Sequence, residues 1–127
     1  MKNFFTILIL VFTFLSCSND NNNTNNSRVF KYEVSGNYTE STTIVYYTAN
    51  GSTSTEEDDA LPWTKEVTYE SNVKGIAIVA SPVVAKPGIP GQTLTLKIYR
   101  GNKLIKESTA TVLSNGFFNL NSGSITL

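Results

Sequence analysis

The chain contains no histidine and a single cysteine among its 127 residues. Lacking histidine, it lacks the commonest general base and the commonest metal ligand. The lone cysteine, Cys17, stands at the end of an apolar run and is assigned below to lipid attachment. That assignment leaves no thiol for nucleophilic catalysis, disulfides or thiolate metal sites in the rest of the chain. A secreted domain without disulfides must hold itself together by packing. Charge of one sign is also missing: ten basic and ten acidic residues cancel. Nucleic-acid binding needs clustered Lys/Arg and a basic balance, so it is not expected. No apolar run approaches the ~20 residues of a membrane-spanning helix.

What is present begins with an address. Met1-Lys2-Asn3 is a short basic start, and residues 4–15 are apolar apart from Thr6 and Thr13. This stretch of about a dozen residues fits the core of a signal peptide. It ends Phe14-Leu15-Ser16-Cys17 and turns abruptly polar, which resembles a bacterial lipobox. The expectation is a lipoprotein signal peptide over residues 1–16, removed before an acylated Cys17. Several acyl chains, each adding roughly 0.8 kcal/mol per buried methylene, would make a stable anchor. Residues 18–27 hold no apolar side chain and cannot bury a face, so 17–27 reads as a lipidated cysteine followed by a disordered Asn-rich tether. Ten such residues reach on the order of 15–20 Å as a flexible coil. Ser18-Asn19-Asp20 resembles the surface-export signals of Bacteroidota lipoproteins, although only one acidic residue is present. The expected location is the cell envelope, lipid-anchored at the outer membrane, on its periplasmic face or at the cell surface.

From residue 28 to 127 the period is two. Phe30, Tyr32 and Val34 alternate with Lys31 and Glu33. Residues 42–48 are β-branched and aromatic, and Asn50-Gly51 then signals a hairpin with 52–57 as the returning strand. Residues 65–71 alternate again. The continuous apolar run 75–80 reads as a strand central in its sheet or covered on both faces. Pro82, Pro87-Gly88 and Pro90-Gly91 make 81–92 a loop. Strands follow over 93–99 and 103–112, separated by a tight turn at Arg100-Gly101-Asn102. A last strand begins at 117–120 after Ser114-Asn115-Gly116, and Ile125 and Leu127 extend it or cap the core. Seven or eight short strands with regular turns predict an all-β fold, an antiparallel β-sandwich, with a small closed barrel as the alternative.

Few residues suggest chemistry. Glu56-Glu57-Asp58-Asp59 is the densest charge cluster and the one weak candidate for a metal site, since four carboxylates on a loop could hold Ca²⁺. Its spacing does not match an EF-hand, and a solvated turn is the preferred reading. Leu61-Pro62-Trp63 holds the single tryptophan, either a docking or sugar-stacking residue or one packed across the sandwich. Tyr32, Tyr46, Tyr47, Tyr69 and Tyr99 lie in strands and could form an aromatic platform for a glycan or protein, or simply reflect β-propensity. Gly-x-Ser-x-Gly does not occur in the domain, and no cofactor is implied. The chain is therefore read as non-enzymatic.

Tyr32-Glu33-Val34-Ser35-Gly36, Ile44-x-Tyr46, Leu61-Pro62-Trp63-Thr64-Lys65, residues 94–99, the turn at Gly101 and residues 103–107 together resemble the MmpS family of mycobacterial membrane proteins. The likeness runs from about Phe30 to Leu120. It implies an immunoglobulin-like sandwich outside the cytoplasmic membrane, serving as an accessory to large RND-type transporters that export lipids and siderophores. Members of that family carry an N-terminal membrane helix where this chain has its lipobox. They also commonly carry a cysteine pair in the later strands that this chain lacks. The expected role is an accessory or interaction domain that docks to an envelope protein, with a transporter as one such partner. A surface module binding a glycan or another ligand is the alternative.

Overall fold

A computed structural model describes residues 26–127. The signal peptide, Cys17 and all but the last two residues of the tether lie outside the described residues. Ten strands follow one another: β1 (Val29–Gly36), β2 (Thr42–Tyr47), β3 (Thr53–Asp58), β4 (Trp63–Thr68), β5 (Gly75–Ile76), β6 (Ile78–Pro82), β7 (Thr93–Arg100), β8 (Lys103–Thr111), β9 (Leu120–Asn121) and β10 (Ile125–Thr126). There is no α-helix among the described residues. One four-stranded sheet has the order β4-β1-β7-β8, the other β3-β2-β6-β9, and β5 and β10 form a small two-stranded ribbon. All pairings are antiparallel. The expected all-β sandwich is found.

Alternation places the core. Phe30, Tyr32 and Val34 of β1 and Leu94, Leu96 and Ile98 of β7 are fully buried from one sheet. Ile44 and Tyr46 of β2 and Ile78 and Ala80 of β6 come from the other. Burial of this apolar surface, at roughly 25 cal/mol per Å², is the main force holding the sheets together. The outer face of the first sheet carries opposite charges in cross-strand register: Lys31 opposite Glu66, and Glu33 opposite Lys97, which stands opposite Glu107. Such pairs suit a solvated face.

Two local expectations need correction. The 75–80 run is not one strand. It breaks at Ala77, so that β5 pairs with β10 while β6 joins the main sheet between β2 and β9. Ser122 bridges the break, its hydroxyl accepting from Ile78 N (3.0 Å) while its own N–H donates to Ile78 O. The β6 part is central in its sheet, as one of the two alternatives had it, and is not covered on both faces, since Val79 points outward and is 38% exposed. The final strand does not start at Phe117: the chain pairs only at β9, then turns through Gly123 into β10.

The turns set the hairpin registers. At the β2–β3 hairpin, Gly51 N donates to Thr48 O (2.9 Å), so Ala49 and Asn50 are the central residues. Gly51, with φ +87°, takes the left-handed position that follows a type I turn in three-residue hairpins. Between β7 and β8, Arg100 stands opposite Lys103, leaving a two-residue turn led by Gly101 with φ +57°.

Successive strands run between two poles. Arg28, the β2–β3 hairpin, Gly101 and the C-terminal Leu127 lie at one. Gly36, Tyr38, and the loops 83–92 and 112–119 lie at the other, joined by Gly88 N→Gly116 O and Gly91 N→Val112 O, each 2.9 Å. The chain therefore enters the domain from its tether at the first pole.

Candidate functional site

The densest polar arrangement sits where the edge strands β3 and β4 of the two sheets face each other. Register places Ile44 opposite Glu56 and Tyr46 opposite Ser54, so Glu56 points inward from an edge strand. From the other sheet, Tyr32 stands opposite Lys65 and Val34 opposite Trp63, so Trp63 and Lys65 also point inward. Glu56 Oε1 accepts from Tyr46 OH (2.6 Å) and from Lys65 Nζ (2.7 Å). Its Oε2 accepts from Trp63 Nε1 (3.0 Å). The Trp63 and Tyr46 rings lie 5.8 Å apart at 52°, and Lys65 Nζ is 5.5 Å from the Tyr46 ring centroid.

This geometry explains the Glu56 charge. The bonds from Lys65 and then Tyr46 outweigh the opposing effect of burial and, with a lesser share from Trp63, hold its carboxyl down at about 2. Glu56 in turn raises the Lys65 ammonium. Three donors engage the two oxygens, two at Oε1 and one at Oε2, and favour the ionised form. An inward charge at a sheet edge also discourages pairing with a foreign strand.

The acidic run is thus divided. Glu56, Glu57 and Asp58 belong to β3 and alternate faces, rather than forming the solvated turn expected. Asp58 Oδ1 accepts from Ala60 N (2.9 Å), capping the bend after the strand. Asp59 accepts from Ser41 Oγ (2.5 Å) and lies 3.6 Å from Lys86 Nζ, which itself donates to Ser41 Oγ (2.8 Å). The Ser41 bond and the Lys86 charge lower the Asp59 carboxyl. No group of three or more His, Cys, Asp or Glu among the described residues is placed to hold a metal ion.

Leu61-Pro62-Trp63 serves the edge of the sandwich. Trp63 is 5% exposed, Leu61 packs half-buried against the core, and the Leu61–Pro62 peptide is cis. The tryptophan spans the sheets rather than presenting a face to solvent. Tyr32, Tyr46 and Tyr69 are buried as well; Tyr32 OH and Tyr69 OH are 2.5 Å apart, and Tyr69 OH donates to Tyr47 O (2.8 Å). Tyr47 and Tyr99 are half-buried in different sheets. The strand tyrosines do not assemble into one exposed platform.

Sequence reasoning missed the Ser41–Lys86–Asp59 grouping, whose members are up to 45 residues apart. A hydroxyl beside a lysine suggests a nucleophile and base, but the bond directions oppose it. Lys86 donates to Ser41 Oγ, and the Ser41 hydroxyl donates to Asp59. The trio ties the 83–92 loop to the β3–β4 bend. Sequence reasoning also missed the apolar surface at the pole formed by loops 83–92 and 112–119, where Val84, Ile89 and Leu113 are 81%, 61% and 59% exposed. Its only sequence signal is apolar residues placed inside turn-rich segments.

No known family model, curated protein or solved structure matches the chain.

Proposed function

We propose that the protein is a non-catalytic envelope lipoprotein, held to the outer membrane through an acylated Cys17, whose immunoglobulin-like sandwich serves as an accessory or interaction domain. One observation supports the non-catalytic reading: the carboxylates of the two polar clusters are engaged by neighbouring side chains of the same domain. Glu56 receives donors on both oxygens from Tyr46, Trp63 and Lys65, and Asp59 is engaged at Oδ1 by Ser41 and Lys86. A general acid or base must keep a lone pair or proton directed at substrate. The resemblance to MmpS proteins favours an envelope partner, with an RND-type transporter as the leading class. The glycan-binding alternative lacks the aromatic platform it would use, because Tyr32, Tyr46, Tyr69 and Trp63 are turned into the core.

The test is made on the full chain expressed in its native envelope. Intact mass should show an N-terminal diacylglyceryl-cysteine with residues 1–16 removed, and the Cys17→Ser chain should leave the membrane fraction. Co-purification of a transporter subunit with the lipidated chain supports the accessory role. An unmodified thiol on the mature protein overturns the anchor. Retention on a polysaccharide array with no co-purifying protein overturns the accessory role in favour of glycan binding.

A further inference from the structure

We infer that the pole of the sandwich remote from the tether is a docking surface for a protein partner that presents an apolar recess bordered by basic groups. The inference rests on the anchored-interaction reading above and adds the surface and the chemistry of what it meets.

Apolar side chains project there from two loops that are held in place. Ile89 sits between Gly88 and Gly91, whose N–H groups donate to Gly116 O and Val112 O. Leu113 and Phe117 flank a turn closed by Gly116 N→Leu113 O (2.9 Å) and Leu113 N→Phe117 O (2.8 Å). The Gln92 side chain joins the first loop to the β1–β2 connection, accepting from Ile89 N and donating to Asn37 O and Thr39 Oγ1. Tyr38 packs edge-on against Phe118, 5.1 Å between centroids, beneath both loops. Exposed Val84, Ile89 and Leu113 are thus carried on a braced support, and a preformed apolar surface binds without a large ordering cost.

Position and charge select the occupant. The tether joins the chain at Arg28, whose guanidinium is fixed to Tyr69 O, Glu70 O and Val73 O at the opposite pole. The eight residues of β1 alone separate the poles by about 26 Å. The apolar loops therefore lie at the end of the domain opposite the point where the tether joins it. A second copy meeting this pole would set one acidic border against the other, which like charges oppose. An anionic bilayer facing this pole finds no basic patch. Glu40, Asp58 and Asp59 outnumber Lys86 there, and residues 108–127 carry no charged side chain. Juxtamembrane attraction needs clustered Lys/Arg. A protein with an apolar recess and a basic rim meets both the uncharged centre and the acidic border.

The experiment uses the full lipidated chain in its native envelope, with the photo-crosslinker p-benzoylphenylalanine placed in turn at positions 89 and 117, and at 66 and 68 on the first sheet as comparison. The same protein, identified by mass spectrometry, should be captured from 89 and 117 and not from 66 and 68. Once purified, it should bind the full chain at least about tenfold more weakly when Ile89→Asp and Leu113→Asp are combined. Glu40→Lys should weaken binding several-fold at low ionic strength. Thermal unfolding of the double variant should match the wild type, since both side chains are more than half exposed. Adducts with lipid alone, adducts with a second copy of this chain, or no adduct at all each overturn the proposal. A partner captured only from 66 and 68, and unaffected by the double variant, overturns this surface while leaving the interaction reading standing.

Discussion

Trp63 and Glu56 meet across the open edge of the sandwich, the indole Nε1 of one sheet donating to Oε2 of the other at 3.0 Å. The bond links β3 to β4, one edge strand of each sheet. Because Trp63 also packs against Tyr46, one residue supplies both apolar contact and the polar link between layers. Trp63→Phe should cost about 1–3 kcal/mol by leaving Oε2 without its donor. Trp63→Ala should cost about 3–5 kcal/mol through the cavity it leaves. Urea unfolding followed by far-UV circular dichroism measures both, and a Trp63→Phe chain as stable as the wild type would refute the hydrogen-bond share.

Glu56 gives the stability a defined acid dependence. Its folded-state carboxyl titrates at about 2, below the ordinary 4.5, so the unfolded chain takes up its proton first on acidification. The Glu56 contribution is complete above about pH 4.5 and is lost as pH falls towards 2. Asp59, lowered by Ser41 and Lys86, acts in the same direction. Urea midpoints should drop between pH 6 and pH 3 in the wild type. The drop should be smaller in Glu56→Gln, and an equal drop in the two chains would remove Glu56 as its source.

Thr42 offers the opposite case. It is fully buried at the start of β2, and its hydroxyl has no hydrogen-bond partner. A buried hydroxyl left unpaired costs about 1–3 kcal/mol. Thr42→Val keeps the branched shape and removes that cost, so it should raise stability by about 1 kcal/mol. A lower urea midpoint would mean that the hydroxyl is satisfied in solution.

Gly36 ends β1 with φ +142°, and a Cβ there would lie 2.1 Å from Thr93 O. Both the backbone angle and the contact forbid a side chain, since the obstacle is the neighbouring strand itself. Gly36→Ala should destabilise by about 2–4 kcal/mol, within the range of backbone-strain substitutions. A thermal midpoint within about a degree of the wild type would contradict the register of β1 on β7.

Much of the fold is legible in the sequence because sheet alternation is local. Phe30-Lys31-Tyr32-Glu33-Val34 shows its buried face in five letters, and Leu94, Leu96 and Ile98 do the same for β7. The run 75–80 misleads because apolar residues on consecutive positions carry no period. Only the pairing of Ile76 with Ile125 and of Ala80 with Leu120 reveals that the chain changes partners at Ala77. The acidic run misleads for a related reason. Four charges in a row resemble a solvated turn, and only the register with β2 turns Glu56 inward.

Residue types and their spacing alone determined that this chain alternates into strands, that it lacks histidine, and that its one thiol follows an apolar run. Those properties are written within a few neighbouring residues. Tertiary structure alone decided that Glu56 is held by Trp63 and Lys65, that Lys86 reaches Ser41, and that Ile89 and Leu113 share a pole. Each of these depends on which strands become neighbours, and strand order is set by burial summed over the whole sandwich rather than by any local pattern.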